Sequence, residues 1–150
     1  MNTSLKRTAI FIFTCLLVGC AQIQTSYSPR PIGSAQEVQI RLEQLLREQE
    51  SSYQLLDCEV MRDYFKCNYV YTQGYRSGIT TVPYNTFVYF KSIRRVQLSS
   101  KRSYWSVYLG NEAGTEIFVY QTYDEEKAKA FVDIVIGLSG LDASVLSKPW

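Results

Sequence analysis

The chain has 150 residues, of which 16 are basic and 14 acidic, and it contains no histidine. This length is enough for one domain with a hydrophobic core and too short for two. Without histidine, the chain cannot build a Ser-His-Asp or Cys-His catalytic group or an HExxH zinc site. The composition therefore excludes these enzyme classes, and no motif predicts a cofactor or a metal.

The first twenty residues have the pattern of an export signal. Two basic residues precede an uncharged apolar stretch over residues 8–18, which is too short to span a bilayer as a mature helix. The next motif, Leu17-Val18-Gly19-Cys20, resembles the lipobox of bacterial lipoproteins. That resemblance implies cleavage before Cys20 and attachment of diacylglycerol and an N-acyl chain to it. An ordinary signal peptide with a chance cysteine, or a buried N-terminal strand, is the alternative.

The lipoprotein resemblance also implies a location. Two acyl chains hold a protein stably at a membrane, whereas one holds it only marginally. Ala21 follows the cysteine, where an Asp would indicate inner-membrane retention by analogy with the enterobacterial sorting rule. We therefore expect a periplasm-facing protein anchored in the outer membrane, with the inner membrane or cell surface as alternatives. Loss of residues 1–19 removes the net charge of +2, so that charge is no evidence for a nucleic-acid partner. No nucleic-acid partner is expected in the periplasm.

The next segment is predicted to connect the anchor to the domain. Residues 20–33 are polar and contain two prolines, which is typical of a flexible tether. A single α+β domain is predicted over residues 34–143, and it opens with a helix in which Ser34 and Glu37 match a capping box. An apolar stripe at helical spacing is formed by Val38, Leu42, Leu45 and Gln49, with Leu46 beside it. We interpret the stripe as a core contact, with a partner groove as the alternative.

Two cysteines remain in the predicted domain. The hydrophobic period changes to two residues, which predicts strands over 53–61 and 64–72. Leu56, Cys58 and Val60 share one strand face with Phe65, Cys67 and Tyr69. A two-residue turn at 62–63 places Cys58 opposite Cys67 in a non-hydrogen-bonded pair, which suits a disulfide in an exported chain. A redox-active or metal-binding pair is the alternative, although the spacing is not that of a CxxC motif.

Further strands are predicted over 79–83, 86–98, 103–109 and 115–121, the second of them with or without a break near Lys91-Ser92. A loop, TQGYRSG, precedes them. A closing helix begins at Thr122 or Asp124 and ends at Gly137 or Gly140. Its stripe consists of Ala128, Phe131, Val132, Val135 and Leu138. The acidic residues at its start are interpreted as complements to the helix dipole rather than as catalytic groups. Residues 144–150 are predicted to be a tail.

This order of elements predicts an α+β fold with an N-terminal helix and a C-terminal amphipathic helix. Between them we expect an antiparallel curved sheet or small barrel of about six strands. From Ile79 onward the order resembles bacterial pleckstrin-homology-like domains, which implies a sheet or barrel plugged by the C-terminal helix. The N-terminal helix departs from that family's pattern. An open sheet with two covering helices is the alternative.

Two surfaces are candidates for binding. Tyr offers an apolar ring with a polar tip, so the tyrosines that flank the predicted loop could line a groove, or they could be ordinary half-buried strand residues. They are Tyr71, Tyr75, Tyr84 and Tyr89. The segment 91–102 carries five basic residues and no acid, namely Lys91, Arg94, Arg95, Lys101 and Arg102. It predicts a patch for lipid phosphates, lipopolysaccharide or an acidic protein surface, with a solvated hairpin end as the alternative.

The function expected from the sequence is non-enzymatic. We expect a protein held at the membrane by its lipid anchor, with no cofactor beyond the covalent lipid, that binds another envelope protein in assembly, secretion or cell-wall maintenance. A small-ligand or lipid-binding module is the first alternative. A cell-wall hydrolase that uses two carboxylates is the second.

Overall fold

The computed structural model describes residues 23–25, 27–75, 78–142 and 146. The predicted signal sequence and Cys20 lie outside the described residues, as do Arg76 and Ser77 of the predicted loop. Of the predicted tail only Leu146 is described, and its side chain is buried.

Seven strands and two helices make up the described fold. They are β1 (Ile23–Gln24), α1 (Ala35–Arg47), β2 (Gln54–Val60), β3 (Tyr64–Tyr75), β4 (Gly78–Tyr89), β5 (Arg95–Lys101), β6 (Tyr104–Gly110), β7 (Glu116–Thr122) and α2 (Glu125–Ser139). One antiparallel sheet has the order β2-β3-β4, and the other has the order β1-β5-β6-β7. The α+β class with a helix at each end is confirmed. The expected single sheet is instead divided into two, and no ladder between described strands closes them into a barrel.

The strand boundaries around Pro83 differ from the prediction. We expected separate strands over 79–83 and 86–98, but β4 runs without interruption from Gly78 to Tyr89. Because β4 is the edge strand of its sheet, the missing N–H of Pro83 removes no essential ladder bond. The chain breaks instead at a 3₁₀ turn over Phe90–Ser92, where the sequence allowed a break.

The β2–β3 hairpin has the predicted register at its closed end. Cys58 lies opposite Cys67 and forms a disulfide with it, and Met61 N–H donates to the carbonyl of Tyr64 at 2.8 Å. The pairing shifts between Leu55 and Asp57, where a bulge interrupts the ladder. A bulge adds one residue to one strand and so changes which face the next side chain occupies. The prediction that Leu56 shares the buried face with Cys58 is therefore wrong, and its side chain is 58% exposed.

Helix α1 packs its apolar stripe into the core. The Glu37 carboxylate accepts from the Ser34 N–H at 3.1 Å, which is the bond that Glu37 contributes to the predicted capping box, and it also accepts from the Ser34 hydroxyl at 2.7 Å. The four buried side chains of the helix are Val38, Leu42, Leu45 and Leu46. This burial confirms the core interpretation of the stripe. Gln49 lies beyond the end of α1, and its side chain contributes to the groove described below.

Helix α2 covers the second sheet. The Asp124 carboxylate caps it by accepting from the N–H groups of Glu126 (2.9 Å) and Lys127 (3.2 Å). Gly140, with φ of 67°, ends it in the left-handed conformation that glycine adopts readily. The Phe131 ring is fully buried and stacks on the Tyr120 ring, with 4.3 Å between centroids. Ala128, Val132 and Val135 are also buried, while Leu138 is partly buried at the margin of the core.

The segment before α1 lies against the domain. β1 pairs with β5, and farther along, the Tyr27 hydroxyl donates to the Asp133 carboxylate at 2.9 Å. Burial and this hydrogen bond raise the pKa of Tyr27 to about 12. A Cβ placed on Gly137 of α2 would lie 2.9 Å from Cγ1 of Ile32, so the absence of a side chain there lets the segment approach closely. The prediction of a flexible tether over residues 20–33 did not include these contacts with the domain.

Candidate binding groove

A groove with a cavity of about 370 Å³ lies between the two sheets. Tyr53, Tyr69 and Tyr84 line one side of it, and Ile117, Val119 and Gln121 of β7 line the other. We call this feature the tyrosine groove. Its lining combines aromatic rings, aliphatic side chains and amides, which suits a partner with both apolar and hydrogen-bonding groups.

The tyrosines are placed by the pairing of β3 with β4. Tyr69 lies opposite Tyr84, and Tyr71 follows two residues later on the same face, beyond the packed core. Tyr53, which precedes β2, places its ring 5.5 Å from that of Tyr84 and 5.3 Å from that of Tyr71. Tyr84 is 50% exposed and Tyr53 is 42% exposed, whereas Tyr69 is buried beneath them. The rings therefore form a supported platform with its outer surface open to solvent.

Tyr69 is the buried base of this platform. Its hydroxyl accepts a hydrogen bond from the side-chain amide of Gln49 at 2.5 Å. Burial raises the pKa of Tyr69 to about 12, and the Gln49 bond opposes part of that shift. The phenol is thus neutral at physiological pH, so it can hold the base of the groove in place without adding a charge.

The opposite side of the groove is the outer edge of β7, the last strand of its sheet. The Glu50 N–H donates to the Gln121 carbonyl at 2.8 Å, so the backbone groups of Gln121 point away from β6. Because alternate residues of an antiparallel strand direct both backbone groups to the same side, those of Val119 point the same way. No described residue bonds to them from across the groove. The groove therefore combines an aromatic platform with an open strand edge.

The structure brings together only some of the tyrosines selected from the sequence. Tyr71 and Tyr84 share the platform. Tyr89 lies on the other face of β4, where its ring is 5.3 Å from Phe87 and 5.8 Å from Tyr64. Tyr75 is the last residue of β3, and its side chain lies outside the described part of the structure. Tyr53 and Tyr69 were missed as site residues. The pairing of Tyr69 with Tyr84 across the hairpin would have revealed one of them.

The predicted basic patch is divided between the two ends of β5. Lys101 and Arg102 lie at the β5–β6 turn, whereas Lys91 and Arg94 lie before the strand begins and Arg95 is its first residue. A strand of this length separates its ends by about 20 Å. The Arg94 guanidinium donates to the carbonyl oxygens of Lys91 (2.6 Å) and Ile93 (3.0 Å), which holds it at its own end. The five residues therefore do not form one surface.

The described part of the chain has no facing carboxylate pair in the groove, no cluster of metal ligands and no membrane-spanning helix. Glu116 is the one carboxylate among the residues that line the groove, so the groove lacks the facing pair that a glycosidase uses. In this part of the chain, no three His, Cys, Asp or Glu side chains are grouped as metal ligands would be. No described helix combines the length and the apolar character that a membrane span requires.

The chain matches no known protein family, and it has no significant match among curated proteins or solved structures.

Proposed function

We propose that the protein is an outer-membrane-anchored periplasmic lipoprotein that acts as a non-enzymatic binding or assembly module of the cell envelope. The lipobox resemblance at Cys20 supports both the anchor and export of the chain. Export would place the disulfide in an oxidising compartment, where it persists. The binding role is supported by one observation, the open β7 edge beside the tyrosine platform. The proposed occupant is an extended segment of another envelope protein.

An extended segment fits both sides of the groove. Its backbone can pair with the N–H and C=O of Val119, and alternate side chains can then lie against Tyr53 and Tyr84. The edge already accepts one such bond, because Glu50 N–H pairs with Gln121 at one end of the groove. Tyrosine rings contribute a large contact area at low conformational cost, and their hydroxyls supply further hydrogen bonds.

We propose that the two sheets are the halves of an incompletely closed barrel of the pleckstrin-homology-like kind, with α2 as its plug. The approach of β4 to β7 and the packing of α2 on β5, β6 and β7 support this arrangement. The tyrosine groove is then the gap in the barrel wall, and a bound strand would fill it.

A small-ligand or lipid-binding module is the second candidate. The cavity of about 370 Å³ falls within the range of small-molecule sites, roughly 300–1,000 Å³. A small ligand would use the tyrosine rings, but it would not depend on backbone pairing along β7. The two candidates therefore differ in what they require of the Val119 N–H.

Replacing Val119 with Pro separates these requirements. Proline removes the N–H that faces the groove and leaves the bonds to β6 intact, so the fold should tolerate it at this edge. Val119→Ala is the matched control, because it removes the same side chain and keeps the N–H. With a photo-crosslinking amino acid at Tyr84 in intact cells, we expect a discrete crosslinked protein that persists in Val119→Ala and is lost in Val119→Pro.

A crosslinker at Tyr89 is the positional control, since that side chain lies on the other face of β4. We expect no such product from it. Equal crosslinking in Val119→Pro and Val119→Ala would contradict strand addition and favour the small-ligand candidate or contact through side chains alone. The same product from Tyr84 and Tyr89 would contradict the groove as the binding site. Circular dichroism of both Val119 variants establishes that the comparison is made between folded proteins.

A further inference from the structure

We infer that the β5–β6 turn is a membrane-contact surface in which Lys101 and Arg102 bind the phosphate groups of anionic phospholipids. This inference rests on the proposed lipid anchor at Cys20, and it adds an orientation of the domain that the anchor alone does not give. It follows from the position of β1, the charge of the turn, the backbone at Arg102 and two neighbouring tyrosines.

The pairing of β1 with β5 limits how far the proposed anchor can lie from the β5–β6 turn. Ile23 lies opposite Ser100 and Gln24 lies opposite Ser99, so the two strands run antiparallel. The direction from Gln24 to Ile23 therefore points toward Lys101 and the turn. Two residues lie between Cys20 and Ile23, and the three Cα–Cα steps that join them span at most about 11 Å in extended chain. A lipid on Cys20 consequently holds this end of the domain close to the membrane surface.

The turn presents two basic side chains that have no ion-pair partner among the described residues. Lys101 and Arg102 are exposed, and neither forms an ion pair with any residue that the structure describes. The acidic residues at the start of α2 are already partnered, because Lys129 lies 2.9 Å from Glu125 and 3.1 Å from Glu126. Each basic side chain held near an anionic membrane strengthens association about fivefold. Two such side chains next to a lipid anchor are therefore sufficient to bias the orientation of the domain.

The backbone of the turn carries a conformation that an arginine rarely adopts. Lys101 pairs with Tyr104, which leaves Arg102 and Ser103 as a two-residue turn. Arg102 has φ of 60°, and it is the one non-glycine residue in the described chain with positive φ. Glycine is favoured at such a position in a hairpin. Arginine here gives up the backbone stability that glycine would supply, and the inferred membrane contact of its exposed side chain accounts for this.

Aromatic residues lie beside the turn. The Tyr104 and Tyr123 rings are 5.0 Å apart, and Tyr123 is 65% exposed. Tyrosine is suited to the membrane–water interface, where its ring contacts acyl chains and its hydroxyl meets headgroups. The turn therefore combines basic side chains and an exposed tyrosine at the end of the domain nearest to the anchor.

Lipid-borne quenchers test this orientation. The mature acylated protein is reconstituted in phosphatidylcholine vesicles that contain phosphatidylglycerol and headgroup-region quenchers. A fluorophore is placed on Ser103→Cys, which is the sole free thiol when Cys20 is lipidated and Cys58 is bonded to Cys67. Ala113→Cys is the matched control, because it occupies the exposed β6–β7 turn about 20 Å away at the other end of β6. We expect strong quenching at position 103 and little at position 113.

Charge variants then test the named side chains. Combining Lys101→Gln with Arg102→Gly should weaken quenching at position 103, since each lost charge weakens the contact about fivefold. Lys91→Gln, which removes a charge at the far end of β5, should leave the quenching unchanged. Arg102→Gly alone should keep or raise the melting temperature, because glycine fits the turn, while it weakens the membrane contact.

The possible failures are distinguishable. A chain that carries no lipid on Cys20, as determined by its intact mass, would overturn the proposed anchor and this inference with it. A lipidated chain that is quenched equally at positions 103 and 113 would overturn the orientation alone. Quenching at position 103 that is unaffected by the loss of both charges would overturn the role of Lys101 and Arg102.

Discussion

Phe131→Ala is expected to lower the free energy of unfolding by about 3–5 kcal/mol, a large part of the roughly 5–15 kcal/mol that stabilises a domain. The Phe131 side chain is fully buried, stacks on Tyr120 at 4.3 Å and lies 6.2 Å from the ring of Phe118. Truncation would leave a cavity between α2 and the second sheet, which neither element can close without moving. Urea denaturation of the purified protein measures this loss.

Ile40→Ala is the control for Phe131→Ala. It also truncates an apolar helical side chain, but Ile40 is 63% exposed on α1. We expect a change in unfolding free energy within about 0.5 kcal/mol for this variant, because surface substitutions away from structural features have small effects. A Phe131→Ala protein as stable as Ile40→Ala would contradict the packing of α2 on the sheet.

The double variant Cys58→Ser, Cys67→Ser is expected to lower the free energy of unfolding by about 2–3 kcal/mol. The disulfide closes the β2–β3 hairpin and so restricts the unfolded chain. Cys58 and Cys67 are also buried, so the variant moves two serine hydroxyl groups into the core, which is unfavourable unless they find hydrogen-bond partners.

Chemical reduction gives the matched control for this variant. A reductant should destabilise the wild-type protein by a similar amount and should have no effect on the double variant. Alkylation of the native protein before reduction should modify neither Cys58 nor Cys67. Modification of both residues would contradict the disulfide.

Local pairing could be predicted from the sequence where a short turn sets it. Turn residues 62 and 63 gave the register that places Cys58 opposite Cys67, and the structure has that register. The exposure of Leu56 could not be predicted in this way, because a bulge depends on the whole ladder rather than on hydrophobic alternation. The predicted strand over 79–83 ends at Pro83, yet β4 continues through this residue because an edge strand tolerates proline.

The sequence indicated that tyrosines could line a groove, but it did not indicate which of them lie together. Tyr84 and Tyr89 are separated by an odd number of positions on β4, so strand geometry places them on opposite faces. Tyr53 lies in the groove because of the path of the chain between α1 and β2. The sequence of that segment has no periodic pattern that would indicate this path. The open edge of β7 depends on the order of strands in the sheet, and no local sequence pattern specifies that order.

Long-range contacts explain the remaining differences. The segment before α1 has the polar, proline-containing composition of a tether, but β1 pairs with residues 99 and 100 of β5. Likewise, the basic residues of 91–102 are close in sequence, whereas an extended strand holds its ends far apart. In both cases the composition of the segment is visible in the sequence, but the positions of its residues in space depend on strand pairing and strand geometry.

The proposal that a lipid on Cys20 holds the domain at the outer membrane is tested most directly by the intact mass of the protein extracted from that membrane. The predicted mass is that of residues 20–150 with the Cys58–Cys67 disulfide, one diacylglycerol and one further acyl chain. Cys20→Ala should yield no acylated species and should be absent from the outer-membrane fraction. A wild-type protein in that fraction that retains residues 1–19, or that carries an unmodified Cys20, would contradict the account.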